Sequence, residues 1–206
     1  EGSTQSCREP TALLSWRGLD GMVRSQQITR ERADQLVVMQ NALSQWSADL
    51  DAIMPLDNVE PLNWDGQVMR ITRRSSQQLE QGALVVAWAL RSSNGANQWL
   101  RWQSPPVRTR AEWNAAWQTA AQWARTPSSS ELQRETQLFP LSGWQLFYFY
   151  DGAWANALST NITRPSSMVP PSASTASSKV PEGIRMQLQL PSGPAVSGQI
   201  TKDWVN

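Results

Sequence analysis

From Ala12 to Ile53 the chain holds no proline. In the second half of that stretch apolar residues recur at Leu36, Met39, Leu43, Trp46, Leu50 and Ile53, spaced three, four, three, four and three. This spacing draws one stripe along an α-helix, with Asn41, Gln45, Ser47, Asp49 and Asp51 on the other faces. Pro55 stops the pattern. A helix of about forty residues is ~60 Å long at 1.5 Å per residue. A domain of about 200 residues is narrower than that, so one end must project. The apolar stripe belongs to the second half, which is expected to pack on the body. The first half, SWRGLDGMVRSQQITRERAD, carries two glycines and many charges and is expected to be the projecting end.

After Pro55 the period changes from helical to alternating. QVMRITRR alternates weakly, and ALVVAWAL is an apolar run of strand length. NQWLRWQ puts Trp99 and Arg101 on one face, Leu100 and Trp102 on the other. Asn94-Gly95 between the last two segments predicts a tight hairpin. TRAEWNAAWQTAAQWAR returns to helical spacing over Arg110–Arg125, opened by a capping-box pair, Thr109 and Glu112. GWQLFYFYDGAW reads as a strand with Trp144, Leu146, Tyr148 and Tyr150 on one face. A turn at Asp151-Gly152 and a return strand from Ala153 follow. GIRMQLQL alternates with Ile184, Met186, Leu188 and Leu190 inward, and VSGQITKDWV is a last strand. The Ser/Pro-rich stretch 164–180 predicts a mobile loop. The expected architecture is α+β, because the strands come as hairpins and not as βαβ units. A long N-terminal α-helix (12–54) lies on an antiparallel β-sheet within a β-rich body (55–206), a second helix is inserted between strands, and residues 1–11 form a disordered lead. One domain covers 12–206.

Composition then narrows the function. A net charge of +1, with scattered cations, predicts no nucleic acid partner. The adjacent pair Arg73-Arg74 reads as a solvated face. Histidine is absent, which removes the commonest general base and metal ligand. Cys7 is the single cysteine, so an internal disulfide is excluded and a bystander thiol is expected. The carboxylates sit singly in turns or on the polar face of the long helix, and no convergent acid, base and nucleophile emerge. No catalytic residue, cofactor or metal is therefore assigned. Asp57, Glu60 and Asp65 are the one loose cluster that could meet a hard cation. The triplet Asn161-Ile162-Thr163 matches a glycosylation sequon.

Twelve tryptophans are the unusual feature. Trp46, Trp88, Trp102 and Trp144 fall on element faces and read as core. Trp113, Trp117 and Trp123 either cap the sheet or face a partner. Trp154 follows a turn and is expected to be exposed, and Trp16 lies on the projecting half-helix.

The order of these segments resembles the minor pseudopilin J family of type II secretion systems (GspJ or PulJ). Trp16, Arg17, Leu19 and Asp20 match an aromatic-Arg-x-Leu-Asp segment, and MQNALSQWSADL matches a LQxALxxxxxDL stretch. VMRITRR is similar to the family's early strand, WQLFYFYDGAW to its LRFRYLDGGGW hairpin, and VPEGIRMQLQLPSG to its LPRAVELTLELEDG strand and turn. The resemblance spans most of residues 12–205. It implies a pilin-like fold and a non-enzymatic subunit near the tip of a periplasmic pseudopilus, anchored in the inner membrane by an N-terminal stem. The implied partners are other minor pseudopilins of I, K and H type, with secreted cargo as a further contact. An interface on Trp16, Leu19, Met22 and Val23, with Trp113 and Trp117 in reserve, follows from that reading. The rival readings are a minor pilin of a type IV pilus or DNA-uptake system, and a periplasmic Trp-rich carbohydrate-binding module.

Overall fold

A computed structural model describes residues 10–75, 82–93, 95–159, 180–193 and 196–206, with side chains of the first helix from Gly21 onward and without that of Ser93. Cys7, the side chains of Trp16 and Leu19, the sequon and nearly all of the Ser/Pro stretch lie outside the described residues. Val180, the last residue assigned to that stretch, packs against the core.

Helix α1 runs Pro10–Asp51, starting two residues before Ala12 and stopping short of Ile53. Ile53 instead forms an isolated bridge with Arg73. The body is two antiparallel sheets where the sequence predicted one. The first has the order β1-β2-β3-β4-β5, with β1 Leu62–Trp64, β2 Val68–Arg74, β3 Ala83–Ser93, β4 Ala96–Gln103 and β5 Glu135–Pro140. The second has the order β7-β6-β8-β9, with β6 Gly143–Tyr150, β7 Ala153–Asn156, β8 Gly183–Leu190 and β9 Gly198–Val205. Helix α2, Arg110–Arg125, and a four-residue α3, Ser129–Leu132, sit between β4 and β5. Strands β1 and β5 and helix α3 escaped the sequence pattern because each is short and lacks a clean apolar alternation.

The first sheet is covered on both faces, which explains the continuous apolar run of β3. Val86 and Trp88 point into the main core with Met39, Ala42, Trp46 and Leu50 of α1 and the inward residues of the second sheet. Val85, Ala87 and Ala89 point the other way, under Trp113, Trp117 and Trp123 of α2. Small strand residues thus make room for large helix ones. The main core is aromatic at its centre: Trp88–Trp99 and Trp64–Trp144 each stand 4.6 Å apart, and Trp99 also meets Phe139 at 5.4 Å.

The predicted turns and caps form. Ser93 pairs with Ala96 at the end of β3 and β4, and Gly95 has φ +80°; Asn94, the other residue of the predicted turn, lies outside the described residues. Asp151 and Gly152 both have positive φ, as a type I′ hairpin requires. Thr109 and Glu112 close a capping box on α2, and the amides of Arg108 and Thr109 pull the Glu112 pKa below its ordinary value.

Gly82 has φ +93°, and a Cβ there would lie 2.4 Å from the Val107 carbonyl oxygen. That oxygen accepts from the Ala83 amide at 2.9 Å, so the clash would open a pair of strand hydrogen bonds. Gly82→Ala is expected to cost about 1–3 kcal/mol. A thermal melt equal to that of the parent would show that this approach of two backbones is dispensable.

Candidate functional site

Helix α1 divides at Met39. Every residue from 21 to 38 is exposed, whereas Met39, Ala42, Trp46 and Leu50 are buried. At 1.5 Å per residue the exposed part is ~27 Å of helix, and only its last turns, at Asp34, Gln35 and Val38, border the body. Leu36, assigned by its spacing to the packed stripe, is 45% exposed, so the stripe engages only from Met39.

The exposed stem is not uniformly polar. Met22 and Val23 are more than half exposed, and Ile28, Leu36, Val37 and Val38 are exposed too. Val23 and Val37 are two heptads apart and lie on one side of the helix. At the foot of the stem, Val38 and Met39 meet Leu138, Phe139, Leu190 and Val196 around a groove of about 240 Å³. Apolar positions of the stem thus lead down to a largely apolar groove between the two sheets. Among the residues assigned to an interface by the sequence, Met22 and Val23 stand on this surface.

Trp113 and Trp117 do not. Their rings stack 5.0 Å apart against the first sheet and are 8% and 5% exposed. Trp113 Nε1 donates to Thr72 Oγ1 at 2.9 Å, and the Arg70 guanidinium lies 4.8 Å from the Trp117 ring. These rings cap the sheet, the other of the two roles left open for them. Trp123 does the same, donating to Glu135 Oε2 at 2.7 Å. Trp46, Trp88, Trp102 and Trp144 are buried and Trp154 is 37% exposed, as the pattern predicted.

The stem is held to the body by a group that the sequence concealed. Asp49, read as a polar-face residue, is fully buried. Its Oδ2 accepts from Arg101 Nε at 2.8 Å and Trp88 Nε1 at 2.9 Å. Its Oδ1 accepts from Arg101 Nη2 at 2.9 Å, Gln45 Nε2 at 3.0 Å and Arg73 Nη1. Arg73 is thus a buried ion-pair partner and not part of a solvated face. Helix α1 has no basic residue in its last turn. The two arginines of the sheet supply the positive charge that a helix C-terminus favours. Asp51 continues the attachment by accepting from Trp204 Nε1 at 2.7 Å, which ties α1 to the second sheet.

The acidic residues after α1 are engaged locally. Asp65 accepts from the amides of Gln67 and Val68, and Glu60 from Asn63. Among the described residues no group of three potential metal ligands assembles, Asp57, Glu60 and Asp65 included. No helix of the described residues is long and apolar enough to cross a membrane. In comparison with known proteins, no family model matches the chain, and neither does any curated protein.

Proposed function

We propose that this chain is a minor pseudopilin of J type: a non-enzymatic structural subunit near the tip of a type II secretion pseudopilus. The observation that carries the reading is the exposed stem, residues 21–38, with apolar side chains that are left uncovered among the described residues. Such a helix is stable mainly when its apolar face is covered by neighbours. The α+β architecture supports it: a helix with one half docked on antiparallel sheets and the other half exposed. So does the ordered resemblance of the segments around Trp16–Asp20 and MQNALSQWSADL to that family. The companion helices of I- and K-type pseudopilins, and of H type, would lie along the stem and end in the groove at its foot. In this reading the chain is the periplasmic part of a protein anchored in the inner membrane, and secreted cargo is a further contact.

Exposed apolar surface contributes about 25 cal/mol per Å² when buried, so a charged stem should not assemble. The double variant Val23→Glu, Val37→Glu is expected to melt like the parent, since both side chains face solvent, and surface changes move stability by only about 0.5 kcal/mol. It is expected to lose co-purification with I- and K-type pseudopilins. Undiminished capture by the folded variant would refute the assignment of the stem as the assembly surface.

A further inference from the structure

The outer face of the second sheet carries a pattern that assembly along the stem does not use. Strand pairing sets its residues in rows across the sheet. Trp154 stands opposite Phe149, which stands opposite Gly183; Phe147 faces Arg185, which faces Asp203. The next rows are amides: Gln145 beside Gln187 and Thr201, then Gly143 beside Gln189 and Gln199. From Phe149 to Gly143 the face runs ~20 Å along β6. Its amide end is a hollow of about 430 Å³, lined by Gly143, Trp144 and Leu188 and by the four glutamines. Gln145, Gln189 and Gln199 are exposed. Gly143 leaves room here, because a Cβ at that position would meet nothing within 4 Å.

The aromatic end is a platform. Trp154, 37% exposed, lies 5.2 Å from Phe149, and the edge of its ring comes within 3.4 Å of where a Gly183 Cβ would be. The Arg185 guanidinium lies over one face of the Trp154 ring, 4.4 Å from its centre, and leaves the other face and the edge for a ligand. Its charge is met by Asp203 through two hydrogen bonds of 2.8 and 2.7 Å. That pair supplies the ionisable groups of these rows, so the face is neutral as a whole.

We propose that this face binds an extended, neutral polysaccharide. Each glutamine amide offers both donors and an acceptor, which matches hydroxyl groups that both give and receive hydrogen bonds. Same-face residues recur every ~7 Å along a strand, which suits a linear polymer of repeating rings. An exposed indole beside a phenyl ring offers apolar area for the C–H face of a sugar. A polyanion would find no uncompensated cation in these rows. The inference stands independently of the stem, so the site would bind whether or not the chain assembles into a filament.

Isothermal titration of the full chain with cellohexaose and with chitohexaose tests this, with polygalacturonate and a neutral Gly/Ser/Asn peptide as controls. Binding of at least one neutral hexasaccharide is expected, with neither control bound. Gly143→Leu fills the hollow, and Trp154→Ala removes the platform. Each is expected to weaken binding about tenfold, the equivalent of one or two hydrogen bonds. Gln187→Ala removes one amide and is expected to weaken it severalfold. Should Gly143→Leu melt early, the other two variants decide the outcome. No binding of either hexasaccharide, affinity unchanged in all folded variants, or preference for the peptide or the polyanion would overturn the proposal.

Discussion

Asp49→Asn is expected to destabilise the fold by about 3–5 kcal/mol, the usual consequence of leaving buried charge without its partner. The substitution preserves shape and removes only the negative charge, so Arg73 and Arg101 would face each other across a site that is fully shielded from water at Asp49. The bidentate geometry of Arg101 on the carboxylate makes it a strong, direction-specific contact. Chemical denaturation measures the loss. A deficit below about 1 kcal/mol would place the pair among ion pairs that contribute little. A double-mutant cycle with Arg73→Met then separates the pairwise term: the effect of Asp49→Asn should shrink once one of the guanidiniums is gone.

Trp46→Ala is expected to cost a comparable 3–5 kcal/mol or so, by loss of packing alone. Trp46 is fully buried where α1 meets both sheets, and its Nε1 has no hydrogen-bond partner among the described residues. Trp46→Phe should therefore be milder, because it surrenders ring area but also relieves an unpaired buried N–H. Leu36→Ala, nearly three turns away on the stem, should change stability by no more than about 0.5 kcal/mol. Equal effects at Trp46 and Leu36 in thermal melts would mean that the stem is docked in solution and that the boundary at Met39 is wrong.

The elements with regular periods were legible in the sequence. GIRMQLQL, the Asp151-Gly152 turn and the Thr109–Glu112 cap each rest on interactions a few residues apart or on one repeating face, and the structure has all three. What was hidden depends on distant partners. Asp49 follows Trp46 by three residues and so lies near the apolar stripe; an acid in that position demands a cation across the interface. Arg73 and Arg101 each sit on strand faces that turn out to be inward. That pattern, an acid in the stripe and arginines in strands, was the available signal, and reading the polar residues of α1 as solvated concealed it. The burial of Trp113 and Trp117 was undecidable locally, because it depends on the alanines of β3, some thirty residues upstream, lying beneath them. The stem is the opposite case: its exposure follows from length alone. The proposed pilin-like identity rests on resemblance, and the pull-down on the stem variants tests it directly.

The attachment of α1 also has a mechanical meaning. Tension drawn along the helix enters the body at its last turn, where Asp49 holds side chains of β2, β3 and β4 at once. Just beyond, the Ile53 bridge and the Arg74 amide bound to the Ala52 carbonyl join the chain to β2. The load is therefore shared among three adjacent strands and does not peel one from its neighbour. Resistance to such pulling is a matter of the unfolding rate and not of equilibrium stability. The carboxylate works as a shackle between a rod and a plate.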